Sequence, residues 1–247
     1  MKHPVARLKY CAQSDIGLVR SCNEDAYAIG GGQSDEYPGS LFVVCDGMGG
    51  QSAGEVAAHL ATDTIIEAYY SSKNPDRGAA LIEAFQQANQ QVYQQLLGAG
   101  RAGTTTAVAA LVVAGKALIV NAGDSRAYRA RDGYLHQISE DHTYSEKLVR
   151  EGILTREQLH AGVTHRVLYH EIGIPEKYFK ADLFQELLQE GDLSLLCTDG
   201  LEAVENSEIE RTIREQPLEN VVSRLVYLAN ARGGYDNVTA ILIWPEE

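Results

Sequence analysis

The 247-residue sequence predicts an α+β fold in which helices cover β-sheet, and three observations carry that expectation. Two amphipathic helical patterns follow one another from Gly54 and Leu81, two β-hairpin patterns begin at Ala107, and the chain closes on short helices and an apolar strand. With 45% apolar and 22% charged residues, no repeat and no low-complexity tract, residues 1–247 read as one globular domain.

Residues 8–13, with Tyr10 and Cys11 among polar neighbours, suit a first strand, and Asp15-Ile16-Gly17 turns the chain. Arg20 and the pair Glu24/Asp25 then stand just before a second strand at 26–29. A polar, Gly-rich loop over 30–40 leads to the apolar run 41–45, a buried strand expected to deliver Asp46 into the glycine-rich turn Asp46-Gly47-Met48-Gly49-Gly50-Gln51. Ala57, Leu60, Ala61, Thr64, Ile65 and Ala68 form one helical stripe, and Pro75 ends the connection after it. Leu81, Phe85, Ala88, Val92 and Leu96 form a second stripe, which Gly98 and Gly100 stop. Both stripes read as core, a helical hairpin laid on a sheet.

Hairpins follow at 107–114 with 117–121 around Gly115-Lys116, and at 127–131 with 134–138 around Asp132-Gly133. Between them lies Gly123-Asp124-Ser125-Arg126, another acid in a turn. Short helices at 144–151 and 156–160 sit in a weakly periodic region, 143–173. A strand at 193–197, helices at 209–213 and 221–229 and a strand at 238–244 complete the chain.

A formal charge of −13 excludes the basic footprint of a nucleic-acid or anionic-membrane binder. No apolar stretch is long enough to span a bilayer, and residues 1–13 lack the apolar segment of a secretory signal. Cys11, Cys22, Cys45 and Cys197 show no C-x-x-C spacing and read as reduced thiols of a cytoplasmic protein. His160, His165 and His170 are spaced by five residues, which does not place two imidazoles on one helical face for a metal.

Taken singly, each acidic turn is an ordinary tight corner or helix cap. Taken together, Glu24/Asp25, Asp46, Asp199 and Asp236 each adjoin a strand end, so a sandwich of sheets brings them to one rim. Several carboxylates at one point repel unless cations neutralise them. Oxygen donors without a Cys or His cluster select hard ions such as Mg²⁺ or Mn²⁺, and a binuclear site follows.

The ordered motifs R-S-C-N-E-D from Arg20, V-C-D-G-M-G-G from Val44, G-T-T-T from Gly103, A-G-D-S-R-A-Y from Ala122, D-H-T from Asp141, T-D-G-L from Thr198 and G-G-Y-D-N-V-T from Gly233 cover most of the chain. In order and content it resembles the metal-dependent Ser/Thr protein phosphatases of type 2C, in their bacterial single-domain form. That resemblance implies a four-layer α-β-β-α sandwich with two central antiparallel sheets and metals at one end. It further implies two Mn²⁺ or Mg²⁺ ions and a weaker third. Asp46 would bridge the pair, the Gly47 carbonyl would be a further ligand, Asp199 and Asp236 would hold the first metal, and Asp25, with Glu24 beside it, would serve the second directly or through water. Asp124 matches the third-metal position.

The implied chemistry is in-line attack of a metal-bridging hydroxide on phosphoserine or phosphothreonine, with the Arg20 fork on the phosphoryl oxygens. The implied setting is a cytoplasmic monomer that acts on phosphorylated proteins opposite a cognate kinase. Two departures stand out. Gln51 occupies a position where many bacterial relatives carry His, so either a water or His59 supplies the leaving-group proton or the rate is reduced. The segment 164–173 departs from the usual pattern of the flap, assigned here to about 143–173, where substrate preference would be set. Two competing readings are a phosphoprotein-binding pseudophosphatase, against which the retained carboxylates argue, and a two-metal phosphodiesterase or nuclease, against which the charge argues.

Overall fold

The computed structural model describes residues 8–31, 39–50, 53–156, 158 and 167–246. Among them, two antiparallel sheets lie face to face. The first contains β1 (Leu8–Asp15), β7 (Arg126–Arg131), β8 (Tyr134–Gln137), β10 (Leu193–Cys197) and β11 (Val238–Pro245), in the order β1-β11-β10-β7-β8. The second contains β2 (Asp25–Gly30), β3 (Ser40–Gly49), β5 (Ala107–Val113), β6 (Lys116–Ala122) and β9 (Asp182–Leu187), in the order β2-β3-β5-β6-β9, with β4 (Gly103–Thr105) on the end of β3.

Helices α1 (Ala53–Ser71) and α2 (Arg77–Gly98) cover the outer face of the second sheet. The Asp76 side chain accepts from the Ala79 amide and caps α2, while Leu81, Phe85, Ala88, Val92 and Leu96 are all buried, as the stripe requires. On the outer face of the first sheet lie α4 (Asn206–Glu215) and α5 (Leu218–Ala231), with Val221, Val222, Leu225 and Val226 inward. A short α3 (Tyr144–Arg150) starts at Thr143, whose hydroxyl accepts from the Glu146 amide.

Three apolar layers separate these four. One lies under α1 and α2, one under α4 and α5, and the third, with Phe42, Val44, Leu196 and Ile241, between the sheets. The expected α-β-β-α order is therefore the observed one. Alternation explains how β3 serves two layers: Leu41, Val43 and Cys45 face the helices, and Phe42 and Val44 face the other sheet.

Several boundaries differ from expectation. The first hairpin turns at Ala114-Gly115, both with positive φ, one residue before Gly115-Lys116, and the second turns at Asp132-Gly133 as expected. Strand β9 had no sequence signal, because its apolar Leu183 and Leu187 point to solvent. Gln51, His160 and His165, and most of the helix expected at 156–160, lie outside the described residues.

Candidate active site

Strand ends assemble the site. Asp25 opens β2 and pairs directly with Asp46 on β3. Asp46 does not sit in a turn, as its glycines had implied. β3 continues through Gly49 because Gly47, Met48 and Gly49 pair with Thr105, Thr104 and Gly103 of β4. Its backbone is held on both sides: the Asp46 amide donates to Thr106 Oγ1 at 3.1 Å, and its carbonyl accepts from the Thr106 amide and Thr105 Oγ1, each at 2.9 Å. Thr106 Oγ1 also meets Ser125 Oγ at 2.6 Å, which ties Asp46 to the turn carrying Asp124.

Gly47 has a steric reason for lacking a side chain, beyond the ligand role expected of its carbonyl. A Cβ there would lie 2.2 Å from the Gly54 carbonyl oxygen and 2.5 Å from that of Glu24, so α1 could not approach the strand.

The other sheet supplies the opposite side. Asp199 begins a 3-10 turn (Asp199–Ala203) straight after β10, and Asp236 stands two residues before β11. These two turns pack so closely that a Cβ on Gly200 would lie 2.0 Å from the Asn237 carbonyl oxygen. Asn237 stitches the rim together: its Nδ2 donates to the carbonyls of Ile16 and Cys22, and its Oδ1 accepts from the Glu24 amide at 2.8 Å.

A cleft of about 290 Å³ opens here, lined by Arg20, Glu24, Asp46, Gly47, Asp124, Asp199 and Asp236, with Met48, Thr106, Leu168 and Asn237 among the remaining walls. Seven of the eight residues expected at the site thus meet in one cavity. The eighth, Asp25, lies beneath it, buried, with Oδ2 accepting from Thr198 Oγ1 at 2.9 Å and Oδ1 without a hydrogen-bond partner. His59 is on the exposed side of α1 and does not line the cleft, so the expectation that it hands a proton to the leaving group is not supported.

The electrostatics are those of crowded acids. Burial pushes the Asp25 carboxyl up to about 7, against the opposing hydroxyls of Thr239 and Thr198 and with the charges of Asp199 and Asp236 adding to the rise. Burial raises Asp46 well above the carboxylate range, reinforced by Asp25, Asp199, Asp124 and Asp236. Arg20 is the one basic side chain on the cleft wall among the described residues, and its Nη2 donates to Asp236 Oδ2 at 2.7 Å. Among the described residues, no three His, Cys, Asp or Glu side chains close into a finished metal cage. The donor set nonetheless fits hard cations: oxygen ligands of one sign converge on Asp46, and a buried carboxylate oxygen, Asp25 Oδ1, lacks a partner.

Supporting residues complete the frame. Arg126 donates to both carboxylate oxygens of Asp141 and pairs with Glu202 at 2.6 Å, joining the start of β7 to the turn that begins at Asp199. Cys45 and Cys197 are free and buried beside the site; burial raises both thiols, Cys197 to about 12, so neither is a thiolate nucleophile at neutral pH.

Two helix-faced antiparallel sheets with a carboxylate-lined cleft at one shared end define an α-β-β-α sandwich with a cleft suited to hard cations. The protein phosphatase 2C profile matches residues 19–242, and the chain belongs to that family. The serine/threonine protein phosphatase PstP of Mycobacterium tuberculosis is 34% identical over 95% of this chain, which spans 44% of the length of that relative. A serine/threonine phosphatase structure from S. agalactiae superposes with a TM-score of 0.88 at 27% identity, covering 97% of this chain and 100% of its own. The PstP catalytic domain in complex with two manganese ions gives 0.82 at 32% identity, covering 97% and 99%.

Proposed function

We propose that this chain is a metal-dependent protein serine/threonine phosphatase that hydrolyses phosphoserine and phosphothreonine by direct attack of water, without a phosphoenzyme. The observation that carries this reading is the convergence of Asp46, Asp124, Asp199, Asp236 and Glu24 on one cleft with a single arginine among its described wall residues. Family membership and the two manganese ions of the PstP catalytic domain support it.

Asp46 would hold both of two Mn²⁺ or Mg²⁺ ions, with the Gly47 carbonyl as a further ligand; Asp199 and Asp236 would hold the first, Asp25, with Glu24 beside it, would serve the second directly or through water, and Asp124 would hold a weaker third. When bound, such ions supply Lewis acidity toward phosphoryl oxygens and a lowered pKa for water. The chain's own residues do the rest. Arg20 spends one N–H on Asp236 and offers the remainder of its planar fork to two phosphoryl oxygens, orienting phosphorus toward the acids. The hydrogen bonds to the Asp46 backbone keep that carboxylate from following the substrate. With His59 outside the cleft, a water protonates the departing serine or threonine oxygen.

In this reading residues 1–247 form one phosphatase domain that works as a cytoplasmic monomer against a protein kinase in signalling. No helix among the described residues is long and apolar enough to cross a membrane, which is compatible with that setting. Purified protein assayed on p-nitrophenyl phosphate and phosphothreonine peptides with Mn²⁺, Mg²⁺ or EDTA tests the proposal. Turnover that depends on metal and disappears in Asp46→Asn is expected; turnover indifferent to EDTA or to that substitution overturns it.

A further inference from the structure

His142 is a buried imidazole that the acid cluster does not use, yet it touches two segments that contribute wall residues to the cleft. On one side, its amide donates to the Gly123 carbonyl at 3.0 Å and its Nδ1 accepts from the Gly123 amide at 3.3 Å. Asp124, which lines the cleft, follows immediately. On the other side, the His142 carbonyl accepts from the Tyr169 amide at 2.9 Å, and the neighbouring Thr143 pairs with Leu168, a second wall residue. The rings of Tyr169 and His170 stand 5.4 and 5.3 Å from the imidazole.

We propose that His142 is a positioning residue that clasps the Gly123-Asp124 turn to the Leu168-Tyr169 segment, so that two walls of the cleft move as one. The imidazole has a role here that its backbone cannot fill. Gly123 is buried with a φ of +119°, and its amide has the ring nitrogen as its acceptor. A ring that accepts at Nδ1 carries its proton at Nε2, where Asp182 Oδ2 receives it at 3.1 Å. Asp182 is held in turn by Lys180 Nζ at 2.6 Å. The carboxylate thereby selects the tautomer that can receive the Gly123 amide, the arrangement by which outer residues orient inner ones. Without that acceptor a buried N–H is left unsatisfied, and the turn relaxes toward water.

Asparagine and glutamine separate the two ends of the ring. His142→Asn places an amide oxygen near the Nδ1 position, and His142→Gln reaches toward Asp182 but leaves Gly123 without an acceptor. In the metal-free chain, amide hydrogen exchange at Gly123 is expected to accelerate at least about tenfold in His142→Gln and to stay within about twofold in His142→Asn. The consequence for turnover rests on the phosphatase reading: with Mn²⁺ and p-nitrophenyl phosphate, kcat/KM falls in His142→Gln and is rescued in His142→Asn. Unchanged exchange at Gly123 in His142→Gln overturns the assignment. So do two variants that behave alike and lose activity only in proportion to melting temperature. If His142→Gln does not fold, Asp182→Ala, which leaves the ring but frees its tautomer, is expected to accelerate the same amide, and no acceleration there overturns the clasp. Absence of metal-dependent turnover in the unsubstituted chain removes the phosphatase reading alone, since the exchange measurement is made without metal.

Discussion

Asp25 and Asp46 face each other across the β2–β3 pair, one buried with an orphaned oxygen and the other at the focus of three further acids, Asp124, Asp199 and Asp236. Such a pair is tolerable only with a cation or a proton between its members, and this makes Asp46 the most sensitive position. Asp46→Asn and Asp236→Asn are expected to lower Mn²⁺-dependent turnover at least about 100-fold, the upper range reached even by residues that merely support metal ligands. Steady-state assays with calorimetric Mn²⁺ titration check this, and weakened binding must accompany the lost rate. At this scale the acids themselves were legible, because each stands beside an apolar run that marks a strand end. Their supports were not. The Asn237 bond to Glu24 spans 213 residues, and the Thr198 bond to Asp25 spans 173, distances at which a sequence carries no geometric information. The same holds for Arg126, whose place in a motif does not say that Asp141 and Glu202 close around it.

Elements show where local reading succeeds and where tertiary pairing overrules it. The helical stripes of α1 and α2 and the Asp132-Gly133 hairpin were legible because their periods and turn residues act locally. The glycine run after Asp46 was not, since only the presence of β4 makes it a strand. Gly47→Ala tests that packing: the new Cβ would strike the Gly54 carbonyl oxygen, and forced displacement of α1 is expected to cost about 1 to 3 kcal/mol in urea unfolding together with most of the activity. A second prediction concerns the edge between β7 and β10. Arg131 donates from Nε and Nη2 to the two oxygens of Asp192, each at 2.7 Å, and the Gln189 amide adds another bond. Burial alone would raise Asp192, but Arg131 and Gln189 hold it below the usual carboxylate range. A depressed folded pKa stabilises above the unfolded value near 3.9 and ceases to do so as pH falls through the folded value. Asp192→Asn is therefore expected to lose about 2 kcal/mol at pH 7, the cost of a charged hydrogen-bonded pair, and to approach the parent chain as pH falls below the unfolded value of about 3.9. Denaturant unfolding across that range measures it.

For the molecule as a whole, the site is a seam between two sheets, so ions that bind there should stabilise the entire fold. At a free Mn²⁺ concentration of about 100 times Kd, one site adds roughly 2.7 kcal/mol, which for a chain of this size raises Tm by about 5 to 11 °C. Differential scanning fluorimetry should show this rise with Mn²⁺, its reversal by EDTA and its absence in Asp46→Asn. The pairing of β1 with β11 has a practical corollary. Asp15 lies opposite Val238 beside the acidic rim, and Leu8 lies opposite Pro245 at the far end of the same two strands. Roughly 23 Å of strand therefore separates the rim from the point where both ends of the described chain emerge side by side. A bead or a fluorophore attached at Leu8 or Pro245 hangs from the pole away from the cleft. The molecule can be tethered there with the mouth of its cleft open to solvent.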